Sequence, residues 1–523
     1  MPADPRTALL DAIQTHNPWW QGTFDPTILP AREKSDFYHL ARPDAADTQF
    51  QDQPILGLVG RRGVGKTTLL KQFVAHELEA GTAPERFCYL PFDADPLYQL
   101  QSDHQLQQAI RYYERRILGQ LNDPDPHFLL LDDVHEIEHP TKPDVDGWAT
   151  PITAARQDGP PGRAVVVTAS AGVQVRRELT RVDTDPDAYD IQPILPEKFR
   201  DYIYDLHPDL EAGDRRLSPT SLRRGDGSLP TAIQTGDPDP FVEELREKHA
   251  QVADEIPRIR PQVVHYLAMG GVLAYDIDGA IDSAATLTAT DYARLREDVR
   301  DALYQEVPGF ESIQTIADLE RVCAVAARRN PREAVAFKDL VDLFDVDRRT
   351  VRDSYLDALA TLYLLTPSVE YDNQRPRSVR LYLRDTGLAT ALADHDAATV
   401  LAEIDREAEL ATLAAYDHTM RFVYNTKAVL GRRERPEVWY WTGREGTVDF
   451  VFELANSPVP VGLAYRPGDL EPARAALEEF QATYDAPLGV LLTGDTVRSS
   501  GADPVAYADG IVTLPYWLYL MIS

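Results

Sequence analysis

The stretch PILGLVGRRGVGKTTLLKQFVAHELEAG, Pro54 to Gly81, decides the fold. It opens with a short apolar run behind a proline, the pattern of a buried strand. It closes with Leu69, Leu70, Phe73, Val74 and Leu78 at helical spacing, and Gly81 stands where a helix C-cap belongs. Between strand and helix lie Gly60, Arg61, Arg62, Gly63, Val64, Gly65, Lys66, Thr67 and Thr68. They fit G-x-x-x-x-G-K-[ST], the phosphate-loop pattern, in the context that pattern requires. Small residues let backbone N–H groups wrap phosphates, and the helix N-terminus adds partial positive charge. Lys66 is positioned to reach the β- and γ-phosphates, and the Thr67 hydroxyl to serve as a magnesium ligand. The ligand implied is ATP with Mg2+. The plain structural alternative is a glycine-rich turn before a helix.

A nucleotide hydrolase needs a second, acidic element, and HFLLLDDVHEI, His127 to Ile137, has its form. Four apolar residues predict a central buried strand, and its carboxyl end, where open α/β sheets bind ligands, carries Asp132 and Asp133. Asp132 is expected to hold magnesium through water, and Asp133 to polarise the attacking water. The alternative for Asp133 is a charged strand end. His135 reads as a surface or capping histidine. A third apolar run, RAVVVTAS, ends in Thr168 and Ser170. These hydroxyls either sense the γ-phosphate from the neighbouring strand or cap the next helix.

Composition bounds the rest. A chain of 523 residues, 43% of them hydrophobic, holds three or four domains by length. No run of eighteen apolar residues and no basic-then-apolar N-terminus appears, so the expectation is a cytoplasmic protein without membrane span or signal. Cys88 and Cys323 stand far apart, in the manner of two buried thiols. Acidic residues number 84 against 53 basic, a net charge of −31, and only eight of the basic residues are lysine. The acidity runs along the whole chain. Such a composition resembles that of halophilic proteins, whose carboxylates keep the surface hydrated where salt screens repulsion. It argues against general nucleic-acid binding, though not against a local basic patch.

The order of features resembles a family of archaeal and bacterial AAA-type ATPases with a C-terminal domain of unknown function. The likeness runs through NPWW (Asn17–Trp20), GRRGVGKTTLLKQF, FCYLPFDADP, LLLDDVHEI, VVVTAS and ILPEKFRDYI (Ile194–Ile203). It continues in PQVVHYLAMGGV and YLRDTGLATAL. The resemblance implies Glu where this chain has the shorter Asp133, and makes Arg181 a candidate γ-phosphate or intersubunit arginine. The fold expected is α/β: a P-loop NTPase parallel sheet, then a helical and winged-helix region, then a small α/β domain similar to the restriction-endonuclease-like fold. The expected limits are an N-terminal segment over 1–50, the ATPase domain over 51–205, a linker or insertion over 206–257, a helical lid over 258–330, a winged helix-turn-helix over 331–390 and a degenerate nuclease-like domain over 391–523.

In the winged-helix segment, Phe337, Leu340, Val341 and Phe344 make one helix face, and Val351, Tyr355, Leu359 and Leu362 a second. Two alternating strands follow around EYDNQRP. Arg348, Arg349 and Arg352 begin the second helix, with Arg375 and Arg377 in the wing. They are candidates for DNA contact, or for pairing with the nearby Asp342, Asp345, Asp347, Asp353 and Asp357. In the last domain the resemblance expects an Asp and an x-Glu-x-Lys element. Asp449 supplies the first, on a strand spanning VWYWTGREGTVDFVF, but Glu falls on Gly462 and Lys on Ala464, which cannot organise a metal. The function expected is an ATP-binding ATPase that couples nucleotide state, with slow hydrolysis, to a C-terminal recognition region and a protein client. Two alternatives stand beside it: a DNA-binding regulator with ATP as ligand only, and a defence-related interaction scaffold.

Overall fold

The computed structural model describes residues 5–29, 55–93, 103–122, 126–137, 147–158, 162–182, 184–185, 188–211, 217, 227–271, 289–429, 437–497 and 503–523. The chain divides into two compact units. Unit 1 comprises Met1–Leu195, Arg300–Gln314 and Thr361–Tyr363; unit 2 comprises Pro196–Val299, Thr315–Ala360 and Leu364–Ser523. Among the described residues no helix is long and apolar enough to cross a membrane.

Unit 1 is built on five strands: β1 (Ile55–Val59), β2 (Phe87–Pro91), β3 (His127–Asp132), β4 (Arg163–Ala169) and β5 (Tyr189–Pro193). They pair in the order β2-β3-β4-β1-β5, every neighbour parallel. Strands buried on both faces read as continuous apolar runs, which is why FLLL and AVVV look as they do. Alternate side chains feed two cores. Leu56, Leu58, Phe87, Phe128, Leu130 and Val166 pack under the helix Lys66–Glu79, against Leu69, Leu70, Phe73 and Val74. Ile55, Val59, Cys88, Leu129, Leu131, Val165 and Val167 line the opposite core. Phe73 meets Phe128 edge to face at 5.1 Å, and Phe128 stacks on Phe87 at 5.3 Å. Truncating so packed a phenylalanine costs about 3–5 kcal/mol. This is the α/β P-loop NTPase sheet, followed in the chain by a helical region and a separate sheet.

The NPWW segment closes the open edge of this sheet. Asn17, fully buried, donates to the carbonyls of Ile13 (2.7 Å) and Tyr89 (2.8 Å) and accepts from the Tyr89 N–H at 2.7 Å. The indole N–H groups of Trp19 and Trp20 both donate to Phe87 O. An exposed strand edge invites pairing with another chain, and here β2 is satisfied from within.

In unit 2 the segment read as a linker, 206–257, departs from expectation where it is described. Helices span Ser228–Thr235 and Asp239–Gln251, and bury Leu229, Ile233, Phe241, Val242 and Leu245. Their apolar residues recur at helical spacing, which forms helices where a linker or insertion was expected. Residues 212–216 and 218–226 lie outside the described set. Further helices cover Gln262–Met269, Ala289–Asp301 and Ile316–Arg328. A helix Phe337–Phe344 then ends on Asp345 at φ 53°, followed by a second helical segment, Thr350–Leu356 and Asp357–Thr361. Strands β6 (Val335–Ala336), β7 (Leu365–Ser368) and β8 (Ser378–Leu383) form an antiparallel sheet in the order β6-β8-β7.

After the long helix Ile404–Val429 comes a six-stranded sheet: β9 (Trp439–Thr442), β10 (Thr447–Leu454), β11 (Ser457–Ala464), β12 (Gly489–Thr493), β13 (Ala506–Ala508) and β14 (Ile511–Pro515). Its order is β13-β14-β12-β11-β10-β9. The stretch expected as one strand around Asp449 is a hairpin of β9 and β10, turned at Gly443–Gly446, whose loop N–H groups are held by Glu479. Cys88 and Cys323 are buried and free, and burial pushes both thiols up, Cys323 to about 12.

Candidate functional site

The phosphate loop joins β1 to the helix Lys66–Glu79 at the carboxyl end of the sheet. Two glycines are forced by geometry. Gly65 takes φ 89°, which side chains disfavour, as the N-cap of that helix. A Cβ on Gly60 would lie 2.1 Å from the Ile194 carbonyl, because Ile194 N–H donates to Val59 O directly beneath the loop. Lys66 is buried, and its Nζ donates to the carbonyls of Gly60 (2.8 Å) and Arg61 (3.3 Å). Arg61 and Val64 are buried beside it, whereas Arg62 is exposed. Gly63, Thr67 and Thr68 are half-buried along the same turn.

The two sequence-predicted acids meet this loop. Asp132 ends β3 and is buried, and one of its oxygens accepts from Thr67 Oγ1 (2.8 Å) and Tyr89 Oη (2.8 Å). Its other oxygen accepts from Thr168 Oγ1. The same Thr168 hydroxyl accepts from the Asp133 N–H at 2.7 Å. One hydroxyl on β4 thus bridges both acids on β3, so the strand-tip alternative of helix capping does not describe Thr168. Asp133 sits at φ 55°, an uncommon conformation for a residue other than glycine. Burial pushes its carboxyl up, Lys66 opposes, Asp132 adds repulsion, and the result is about 7.

His135, expected as a surface or capping histidine, is largely buried. Its ring lies 3.9 Å from Asp133, 3.7 Å from Glu136 and 3.5 Å from Ser170 Oγ. Burial, then Lys66 and Arg62, push it down to about 3, so it is neutral. Glu306, from the 300–314 segment of the same unit, is a buried carboxylate that burial pushes up. Nothing local in the sequence marked Glu306. Arg181 stands apart from this cluster, at the end of the helix Gly172–Arg181, and pairs with Glu178 at 2.9 Å.

The donors present suit a hard cation. A hydroxyl, Thr67, and a carboxylate, Asp132, lie side by side, the oxygen ligands that magnesium takes when phosphates and water complete its shell. Among the described residues no group of three His, Cys, Asp or Glu could hold a metal by itself.

The arginines proposed for DNA contact are engaged locally in unit 2. Arg348 lies 4.6 Å over the Phe337 ring and donates to Pro376 O. Arg352 binds both oxygens of Asp353, at 2.5 and 3.0 Å, and Arg349 lies 3.6 Å from the same carboxylate. In the C-terminal sheet Asp449 is buried on β10 and accepts from the Leu463 N–H at 2.8 Å. Arg332 contacts both of its oxygens, at 2.9 and 3.2 Å. A side chain at Gly462 would meet Leu477 at 3.3 Å. Beside Asp449 stands an arginine, and Gly462, where the resemblance expected a glutamate, faces the apolar side of a helix.

Residues 52–200 match the family model of an AAA domain, and residues 283–399 match a domain of unknown function (DUF8612). The AAA-type P-loop assignment of the first unit's sheet rests on that match and on the strand order. No curated protein matches the chain. Similar solved structures include the Walker-type ATPase PABY2304 of Pyrococcus abyssi, at 13% identity, covering 70% of this chain and 99% of that one, with a TM-score of 0.32. The Aeropyrum pernix ORC1 protein in complex with DNA is 14% identical, with 71% and 96% covered and a TM-score of 0.27. Cdc6p from Pyrobaculum aerophilum is 16% identical, with 75% and 99% covered and a TM-score of 0.26.

Proposed function

We propose that unit 1 binds ATP with magnesium at Gly60–Thr68 and hydrolyses it slowly, and that nucleotide state is relayed to a C-terminal recognition region. One observation carries this: the hydrogen-bonded chain Thr67–Asp132–Thr168–Asp133 beside the buried ammonium of Lys66. Lys66, which donates to loop carbonyls here, would transfer those hydrogen bonds to phosphate oxygens, and such charge-assisted bonds are the stronger ones. Magnesium, when bound, would neutralise charge on the phosphates; Thr67 and Asp132 would hold it. Asp133 would orient water toward the terminal phosphorus and take its proton. Ser170 and Thr168 would register the γ-phosphate from the adjacent strand tip.

A second reading, ATP as ligand without useful turnover, is favoured by the shortness of Asp133 and its strained backbone. DNA recognition through Arg348, Arg349 and Arg352 of a winged-helix element, with a protein client as the other partner, belongs to the same proposal. The test is calorimetric nucleotide binding in molar salt. The parent is expected to bind ATP, and Lys66→Ala to lose binding with an unchanged circular dichroism spectrum. Equal affinities in the two proteins would refute the site.

A further inference from the structure

The tip of the wing, expected from sequence as a place of DNA contact, borders a hollow of another character. It lies within unit 2, measures about 560 Å³ and is open to solvent. Tyr371, Trp441 and Tyr484 line it, together with Glu370, Asp372 and Arg375. The fold holds this hollow in shape. Beyond β7 the chain is stitched to β9: the Tyr440 N–H donates to Val369 O at 3.3 Å, and the Tyr371 N–H to Tyr440 O at 2.7 Å. The Tyr371 ring packs on Trp439 at 5.5 Å, Phe480 at 5.7 Å and Tyr484 at 5.2 Å. Its hydroxyl donates to Glu453 at 3.3 Å, and the Asn373 amide donates to the Glu370 carboxylate at 2.9 Å.

Tyr484 stands at 79° to Tyr371 and at 83° to Trp441. Rings at right angles form a corner and do not cover one another as a stack does. Tyr371 and Tyr484 are only half-buried, although both pack against an apolar cluster. Carboxylates alone would distinguish nothing on a chain with 84 acidic residues. Here two of them share a hollow with three aromatic side chains, against one guanidinium. Glu370 is met by a neutral amide, and Asp372 has no ion-pair partner among the described residues. Aromatic faces attract an organic cation, and a carboxylate beside them supplies its countercharge. A phosphate backbone meets like charge at the same two acids.

We propose that this hollow takes a cationic side chain, arginine or lysine, from a basic segment of a protein partner. The proposal rests on the reading of the C-terminal region as a recognition region and names the chemistry of what is recognised. Free polyamines carry related chemistry, but the shape favours a peptide. An open hollow admits one side chain from a backbone that stays outside, whereas a small molecule is held best where most of its surface is buried. In molar salt the screening length is about 3 Å, so attraction at a distance fades and contact with the rings decides.

The test is fluorescence anisotropy on the full chain, in molar salt and without nucleotide. The probe is a labelled Gly-Arg-Gly-Arg-Gly peptide, and its twin carries citrulline, a neutral isostere, in place of both arginines. The twin should bind at least about tenfold more weakly. Tyr484→Leu, which keeps apolar bulk but removes the ring, should weaken the arginine peptide about tenfold. Asp372→Asn should weaken it about threefold. That residue is exposed at φ 57°, a conformation asparagine also adopts, so its urea midpoint should match the parent's. If Tyr484→Leu does not fold, the citrulline twin and Asp372→Asn decide the matter. Equal binding of the two peptides overturns the proposal, as does an arginine peptide that the parent does not bind or that Asp372→Asn binds as well as the parent. Spermidine bound more tightly than the peptide would assign the hollow to a free polyamine and overturn the peptide. A short DNA duplex bound where the peptide is not would keep the recognition region and overturn this occupant.

Discussion

Replacing Arg332 by Met tests what holds the buried carboxylate of the six-stranded sheet. The Asp449 carboxylate is 3% exposed, and it keeps one strong donor, the Leu463 N–H at 2.8 Å, whatever stands at 332. Its countercharge is the Arg332 guanidinium, with Nη2 hydrogen-bonded at 3.2 Å and Nε in ion-pair contact at 2.9 Å. That Nε contact lacks hydrogen-bond alignment, so its contribution is chiefly charge. At that separation, and at an effective dielectric of about 20, the gross attraction is about 6 kcal/mol. Removing one partner of a buried pair costs about 3–5 kcal/mol. Arg332 is 25% exposed, so water screens the pair and the lower end applies, about 2–3 kcal/mol. Arg332 also touches Asp469 at 3.7 Å and donates to Leu463 O, so the single variant reports more than the pair. A cycle with Asp449→Asn isolates it, and the double variant should recover most of the loss because no buried charge remains. The assay is urea denaturation at fixed molar salt. An Arg332→Met protein within about 0.5 kcal/mol of the parent would refute the view that the arginine holds a buried carboxylate. Neither protein should cleave DNA with magnesium or manganese, and cleavage by either would show that chemistry survives without the glutamate and lysine.

Two further outcomes follow from other groups. Asp133→Asn should keep ATP affinity and lower phosphate release at least about tenfold; an unchanged rate would put the base elsewhere. Asp417→Asn should destabilise the protein by about 3 kcal/mol at neutral pH, since Arg384 and Arg421 each reach that carboxylate at 2.6 Å. Burial alone would raise the Asp417 carboxyl, but the two arginines outweigh it and bring it to about 2. Its folded value lies below its unfolded one, so the stabilisation is present above the ordinary carboxylate range and is lost as pH falls toward 2. The gap between parent and Asp417→Asn in chemical denaturation should therefore narrow between pH 5 and pH 2, and a constant gap would mean that charge is not its source.

What the sequence disclosed was local. A phosphate loop is a spacing of small residues, one ammonium and one hydroxyl within nine positions, and the strand and helix beside it declare themselves by period. Gly60 through Thr68 form the turn that joins β1 to the helix Lys66–Glu79. Asp132 and Asp133 were legible for the same reason, at the end of an apolar run. The meaning of other segments lay in contacts across the chain. Asn17 and the two tryptophans after it, Trp19 and Trp20, satisfy a sheet edge some seventy positions away. In unit 2, Gly270 and Gly271 meet Asp385, whose carboxylate accepts from the N–H groups of Gly271 and Leu388 at 2.8 Å each. Glu197 O accepts from Tyr266 Oη at 3.0 Å in the same place. Three segments that carried the family likeness are thus one structural junction, in which a Cβ at Gly387 would lie 2.0 Å from Met269 O.

Countercharges were the least legible feature, and the composition says why. With 84 carboxylates in the chain, nearly any arginine has several acids within sequence reach, and spacing cannot choose among them. Arg352 is taken by its neighbour Asp353, a pairing visible in the sequence. Arg332 is taken by an aspartate 117 positions later, which nothing local announces. The same excess bears on the phosphate site. Asp132, Asp133, Glu136 and Glu306 gather around Lys66 and Arg62, so any polyanion must enter against carboxylates already there. Affinity in such a site depends on which acid yields first. Asp132 is held by three hydrogen bonds and Asp133 by its strained backbone.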